Sequence, residues 1–260
     1  KMALKIENGQ IVGTIDNLEE KLEGKLPVTR EELLVLANSW GRKLDFEAKA
    51  SNNQTLKIDK CDSKECFDLS KLDTSEITDM SSIFRSSKFN GDISNWNTSN
   101  VTDMSYMFYN TIEFNQSVNF DTSKVISMLS MFYSAEKFNQ PLNFDTSNVT
   151  DMSYMFRNTK SFNQALNFNT SNVKKMERIF AYSDNFNQPL NNWDVSKVTN
   201  MAGMFESSIF NQDLNNWNTS NVTDMSYMFS YATRFNQPLN FDTSKVTNMM
   251  SMFCNAYNFN

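Results

Sequence analysis

The 260-residue sequence predicts an α/β repeat solenoid of about eight stacked coils, preceded by a small N-terminal helical cap. Two observations lead to this fold class. A period of about 24 residues, with occasional single insertions, runs through most of the chain. The composition is biased in the way that repetition produces, with 22 Phe and 16 Met. A unit of this length cannot bury its own apolar side chains, so it must stack on its neighbours.

Apolar columns define the register of the repeat. An aliphatic column comprises Ile77, Val101, Val125, Val149, Val173, Val198, Val222 and Val246. A first phenylalanine column comprises Phe84, Phe108, Phe132, Phe156, Phe180, Phe205, Phe229 and Phe253. A second comprises Phe89, Phe114, Phe138, Phe162, Phe186, Phe210, Phe235 and Phe259. Side chains at a constant interval should lie above one another in successive coils, where each buried side chain contributes about 1.5–3 kcal/mol.

Each coil is expected to contain one short parallel strand and one bend. The alternating segment at residues 142–146, Leu-Asn-Phe-Asp-Thr, is typical of a half-buried strand. At residues 149–156, apolar side chains recur every three or four positions, which favours one or two helical turns or a tight bend. An Asn follows nearly every Phe of the second column, and we expect these Asn side chains to form a ladder that satisfies turn backbone groups.

Residues 1–66 do not follow the repeat and are expected to cap the stack, whose first coil begins near residue 67. The pattern from Thr29 to Glu32 is typical of a capping box and predicts a helix at about 30–41. Cys61 and Cys66 are expected to form a disulfide, the alternative being two unpaired thiols in a reducing compartment. No cap is visible after the last repeat, so the array is expected to be truncated at its C-terminus, the alternative being a last coil that an interface shields.

Composition argues against several classes of function. The sequence contains no His, which removes the commonest general base and a common metal ligand. We therefore expect no enzyme activity, no catalytic residues, no cofactor and no metal. The net charge of −6 disfavours nucleic acid as a partner. No apolar run approaches the length of a membrane span, so membrane insertion is not expected either.

One polar column is a candidate ligand-binding stripe on the strand face. It comprises Asp73, Asn97, Asp121, Asp145, Asn169, Asp194, Asn218 and Asp242. Five carboxylates and three amides in one row would suit a basic or hydroxyl-rich partner. The alternative is that these side chains brace the Ser/Thr-rich turn that follows them, through local hydrogen bonds. Calcium between neighbouring Asp residues is a weaker alternative, because no glycine-rich loop surrounds them.

The segments after the first phenylalanine column differ most between repeats, which indicates exposed loops. Four tyrosines in these loops are candidate partner contacts: Tyr109, Tyr133, Tyr182 and Tyr231. Tyrosine is enriched among the residues that dominate protein interfaces. Drift between copies explains the same variation without any function.

The segments at residues 186–201 (FNQPLNNWDVSKVTNM) and 95–108 (NWNTSNVTDMSYMF) resemble the repeat of BspA-like leucine-rich-repeat bacterial surface proteins. The resemblance covers residues 67–260. It implies a right-handed leucine-rich-repeat-like stack in a secreted or cell-surface protein. It also implies an adhesion function, with a host matrix protein, a cell-surface protein or a glycan as the partner. The alternative function is a structural spacer or self-assembling unit that stacks end to end.

Overall fold

The computed structural model describes residues 3–7, 10–15, 26–38, 40, 46–50, 55–58 and 69–260. Before the repeats lie β1 (Ala3–Glu7), β2 (Gln10–Ile15), β3 (Leu26–Pro27), α1 (Arg30–Asn38), β4 (Phe46–Ala50) and β5 (Thr55–Ile58). A four-stranded sheet has the order β1-β2-β4-β5; β2 and β4 are parallel, and the two outer pairs are antiparallel. This sheet was not expected from the sequence. The pair Cys61 and Cys66 lies outside the described residues.

Helix α1 begins at a reciprocal cap and joins the core of the repeats. The backbone N–H of Thr29 donates to Glu32 Oε1 (3.0 Å), and the N–H of Glu32 donates to Thr29 Oγ1 (3.2 Å). These bonds satisfy donors that have no partner within the first helical turn. The side chains of Leu33, Leu36 and Ala37 are buried in the same core as the repeats. The helix thereby covers the first coil.

The first coil follows a 3₁₀ helix (Leu69–Lys71) and contains β6 (Leu72–Asp73), which pairs in parallel with β3. Each later repeat pairs with the next through one parallel bridge. The bridges join, in order, Asp79, Asp103, Ser127, Asp151, Lys175, Asn200, Asp224 and Asn248. This pairing lies two residues after the aliphatic column, and residues 142–146, where a strand was expected, have no strand. The segment expected to bend therefore carries the backbone pairing.

Alternation of hydrogen bonds explains why this wall is neither strand nor helix. In the fourth repeat, the N–H groups of Met152, Tyr154 and Phe156 donate to carbonyl oxygens of the next repeat at 2.8–3.0 Å. The intervening N–H groups of Met155 and Arg157 donate three residues back within their own repeat, at 3.2 Å. Stacked turns thus satisfy the backbone in two directions, which a buried wall requires.

The stacked turns need left-handed backbone at two positions per repeat. In the fourth repeat these are Tyr154 (φ 60°) and Asn158 (φ 59°), and the corresponding residues of the other repeats also have positive φ. A non-glycine residue in this region costs of order 1 kcal/mol or more. The hydrogen bonds to the next repeat hold it there.

Two aromatic ladders form the core. Neighbouring rings of the first phenylalanine column have centroids 5.3–5.9 Å apart, and those of the second column 5.8–6.4 Å apart. Within one repeat the two rings stack on each other, as Phe132 and Phe138 do at 4.2 Å. The prediction that residues at a constant interval lie above one another is confirmed.

The predicted asparagine ladder is confirmed as well. The Oδ1 atom of Asn115 accepts the backbone N–H of Asn139 (3.0 Å), and Asn139 accepts that of Asn163 in the same way (3.0 Å). The Nε2 group of Gln140 also donates to Asn115 Oδ1, at 3.1 Å. Each Asn side chain therefore joins its repeat to the next one.

The two ends of the stack differ. At the first coil, Arg30 donates to the carbonyl oxygens of Asp79 (2.9 Å) and Ser81 (2.7 Å), and the Trp40 ring meets that of Phe89 edge-on at 4.9 Å. In later repeats the equivalent carbonyls accept N–H groups from the preceding repeat. The side chains of the last repeat are more exposed to solvent than those of the earlier repeats, and Met250 is 56% exposed.

Candidate binding surfaces

The Asp/Asn stripe is built into the turns of the repeat. All eight residues use Oδ1 to accept the backbone N–H of the residue two positions later, at 2.9–3.1 Å. Their carbonyls are engaged too: Thr98 Oγ1 donates to the carbonyl oxygen of Asp121 (2.9 Å), and Thr122 donates to that of Asp145 (2.8 Å). Asp73 lies on β6, whereas the other seven residues lie outside any strand.

Serine donors lower the pKa of Asp121, Asp145, Asp194 and Asp242 in this stripe. The hydroxyl of Ser123, and then its backbone N–H, hold the pKa of Asp121 below its ordinary value of 3.8. The same two donors, from Ser147, lower the pKa of Asp145. The pKa values of Asp194 and Asp242 are lowered in the same way by Ser196 and Ser244. These groups therefore remain charged while they brace the turns.

This geometry matches the alternative interpretation of the stripe, since one side-chain oxygen of every member is already used by its own turn. Within the described part of the chain, no three Cys, Asp or Glu side chains lie close enough together to hold a metal ion. The stripe thus has a local role in the turns, and its role in ligand binding stays a prediction.

A second surface is aromatic and cationic. We define the Tyr/Arg surface by a continuous set of ring and guanidinium contacts that joins Arg85, Tyr106, Tyr109, Tyr133, Tyr154, Arg157 and Tyr182. The rings of Tyr109 and Tyr133 stack at 4.7 Å. The guanidinium of Arg157 lies 5.2 Å from the ring centres of both Tyr133 and Tyr182, and it donates to Tyr133 Oη at 2.7 Å.

These contacts fix flat side chains in one arrangement. Cation–π contacts of this kind contribute about 0.5–1 kcal/mol each at exposed sites. At one side of the surface, burial and a hydrogen bond with Glu177 raise the pKa of Tyr154. The Tyr154 hydroxyl therefore donates its one proton to Glu177, and its oxygen can only accept a hydrogen bond from a partner.

An ion-pair network borders this surface. Arg178 bonds to Glu177 Oε1 (2.9 Å) and to Glu206 Oε2 (3.0 Å). Its side chain passes over Gly203, where a Cβ atom would lie 2.6 Å from Arg178 Cγ. Glycine at this position therefore gives the arginine its path to Glu206.

The structure separates the four predicted tyrosines. It brings Tyr109, Tyr133 and Tyr182 into one surface, and it places Tyr231, 53% exposed, in a later repeat outside that set of contacts. The sequence prediction missed Tyr106, Tyr154, Arg85 and Arg157. A signal was present: Tyr106 and Tyr154 belong to a column in which every residue is either large or very small (Ser82, Tyr106, Ser130, Tyr154, Arg178, Gly203, Tyr227 and Ser251).

Two further features of the described ranges concern a thiol and the helices. Cys254 is a free, exposed thiol. None of the described helices combines the length and the hydropathy that crossing a bilayer requires.

Comparison with known proteins identifies the repeats. A family model described as Mycoplasma protein of unknown function, DUF285, matches three overlapping segments, residues 53–167, 142–213 and 165–260. The matches together cover all the chain from residue 53 onward. No curated protein and no solved structure matches the chain at a significant level.

Proposed function

Because the chain belongs to this DUF285 family of repeat proteins, whose function is unknown, we propose a function from the surface that its repeats present. The protein is a bacterial surface-exposed binding or adhesion module, secreted or held at the cell surface. Its repeats are of the BspA-like leucine-rich kind and form a right-handed solenoid. The partner is a host matrix protein, a cell-surface protein or a glycan.

One observation carries the proposal: the Tyr/Arg surface is already assembled without a partner. The stacked rings of Tyr109 and Tyr133, with Arg157 beside them, are held by packing and a hydrogen bond. Tyr and Arg are the side chains that most often dominate binding energy at interfaces. Rigid side chains lose little conformational entropy on binding, which favours affinity.

The Asp/Asn stripe is the weaker candidate surface, because its Oδ1 atoms and several of its carbonyls already have partners within the fold. A ligand at the stripe would meet mainly the second carboxylate oxygens. The Tyr/Arg surface therefore replaces the stripe as the first candidate.

The experiment is a binding screen against arrayed matrix proteins and glycans, followed by substitution. The Tyr109→Ala/Tyr133→Ala variant removes the stacked pair, and Ala181 occupies the same column in a later repeat, so the fold should tolerate it. The control is Tyr257→Ala, which removes a 75% exposed tyrosine elsewhere. We expect the double variant to weaken binding at least tenfold (about 1.4 kcal/mol) and the control to leave binding unchanged. Equal binding by both variants would refute the proposal.

The second candidate function is end-to-end assembly. Against it, Arg30 occupies carbonyls of the first coil that a second copy would need. Light scattering over a range of concentrations distinguishes the two, since assembly predicts a mass that rises with concentration.

A further inference from the structure

A difference in loop length creates a cleft beside the Tyr/Arg surface. Four residues, 85–88, separate the two phenylalanines of the first repeat, whereas five residues, 109–113, separate those of the second. The shorter loop leaves space next to the longer one. The resulting cleft has a volume of about 460 Å³ and is lined by Ser86, Ser87, Lys88, Asn110, Ile112 and Glu113. This volume is in the range of small-ligand sites.

The cleft has one cationic lining residue, Lys88, and a second cation, Arg85, precedes it in the same loop. Its one acidic lining residue, Glu113, is paired with Lys137 at 2.6 Å. Neither Lys88 nor the neighbouring Arg85 forms a salt bridge with any described residue. The Arg85 guanidinium instead lies over two tyrosine rings of the next repeat, 4.7 and 5.1 Å from their centres. An anion here would meet two cations that have no competing carboxylate.

Three of the other lining residues are polar and neutral. Ser86, Ser87 and Asn110 provide hydroxyl and amide groups, and the hydrogen bond from Asn110 Nδ2 to Ser86 Oγ is long at 3.4 Å. Ile112, 39% exposed, is the single aliphatic member of the lining. Peptide recognition normally requires apolar pockets for side chains, whereas a hydroxyl-rich ligand requires groups like these.

We propose that this cleft binds a carboxylated saccharide, such as a uronic-acid unit of an acidic glycan. The carboxylate pairs with Lys88 and with the neighbouring Arg85, and the sugar hydroxyls bond to Ser86, Ser87 and Asn110. This inference rests on the proposed function, because it names the class of ligand that the Tyr/Arg surface binds.

The chain contains its own matched control. The loop at residues 206–209, Glu-Ser-Ser-Ile, has the same length and the same central serines as residues 85–88, Arg-Ser-Ser-Lys. The first serine has positive φ in both loops, 55° at Ser86 and 52° at Ser207. The double variant Arg85→Glu/Lys88→Ile therefore copies a loop that this fold already accommodates, and it removes both cations of the cleft.

The test is titration calorimetry of the whole chain with three probes: oligogalacturonate, a neutral dextran oligosaccharide and hexaglutamate. The control variant Lys174→Ile/Arg234→Glu makes the same change in charge at two exposed positions elsewhere. Both replacements have precedents in their own columns, Ile126 and Glu113. We expect oligogalacturonate to bind the wild type, to bind Arg85→Glu/Lys88→Ile at least tenfold more weakly and to bind the control variant as it binds the wild type.

Four results would overturn the inference. Three are no binding of oligogalacturonate, an equal loss in both variants, and hexaglutamate binding as tightly as the saccharide. Dextran binding as tightly would also contradict it, because the carboxylate would then be irrelevant. The array experiment with Tyr109→Ala/Tyr133→Ala is independent. If that variant loses binding to the arrayed matrix proteins and glycans, and oligogalacturonate does not bind the wild type, this inference is refuted and the proposed function remains.

Discussion

The guanidinium of Arg30 donates to the backbone carbonyl of Asp79 at 2.9 Å and lies 3.4 Å from the carboxylate of the same residue. One side chain thus replaces backbone donors that a preceding repeat would supply. The stack has a closed first coil for this reason.

Replacing Arg30 by Ala should lower the free energy of unfolding by about 1–3 kcal/mol, the range for hydrogen bonds that involve a charged group. Arg30→Lys should recover little, because an ammonium group cannot span two carbonyls as a guanidinium does. Urea denaturation measures both, with the exposed Arg234→Ala as the control. A loss of the same size in the control would show that charge alone is responsible.

The aspartates of the stripe should make the stability depend on acid pH. The folded-state pKa values of Asp121, Asp145 and Asp194 lie below the ordinary value of 3.8, so the contribution of these three groups to stability is complete above that pH. It disappears as the pH falls through the lower folded-state pKa, because the unfolded chain then binds more protons.

The triple variant Asp121→Asn/Asp145→Asn/Asp194→Asn should stay folded at neutral pH, because Asn97 accepts the same turn hydrogen bond naturally, at 3.0 Å. It should lose less stability than the wild type between pH 5 and pH 3. Circular dichroism during acid titration measures the difference. Identical acid profiles would show that these carboxylates are not linked to folding. Unchanged array binding by this variant would in addition exclude the charge of the stripe from recognition.

Replacing Gly203 by Ala should break the contact between Arg178 and Glu206. The new Cβ would lie 2.6 Å from Arg178 Cγ, and position 203 has φ +61°. We expect a loss of about 1–3 kcal/mol from steric displacement and backbone strain. Ala202→Gly, at the neighbouring position, is a control for the effect of a change in backbone freedom alone. If Arg178→Ala relieves the cost in a double-mutant cycle, the collision is the cause; additive losses would point to strain alone.

The stability lost when a ring of the aromatic ladder is removed should depend strongly on the repeat in which that ring lies. Phe156→Ala removes a fully buried ring with stacked neighbours on both sides and should cost about 3–5 kcal/mol. Phe253→Ala, in the last repeat, removes a ring that is 37% exposed and should cost clearly less. Thermal denaturation of the two variants compares them. Equal losses would mean that the last repeat is shielded to the same extent as the fourth.

Much of the repeat could be predicted because buried side chains recur at a regular interval in the sequence. The phenylalanine columns and the asparagine ladder follow from residues that recur at one interval, and repetition brings equivalent residues together. The parallel pairing was harder to locate. The segment at 142–146 alternates like a strand, yet the pairing lies in the stacked turns around Asp151, where alternate N–H groups donate to the next repeat.

The sequence contains a signal for part of the N-terminal sheet that the sequence analysis missed. Asn8-Gly9 stands between two runs that contain alternating apolar residues, and this pair is the strongest short-range indication of a hairpin. β1 and β2 pair in antiparallel fashion on either side of it, with Glu7 opposite Gln10. The parallel partner β4 is distant in sequence, and no local pattern could have placed it beside β2.

The sequence by itself determined which side chains are buried and which repeat equivalently, because apolar burial depends on the identity of each residue and the period of the chain. The contact of Arg85 with Tyr109, the contact of Arg157 with Tyr133, the first coil that Arg30 closes and the cleft between loops of unequal length are known only from the fold. Those contacts depend on the direction of side chains from neighbouring repeats, and small differences between loops change that direction without disturbing the buried columns.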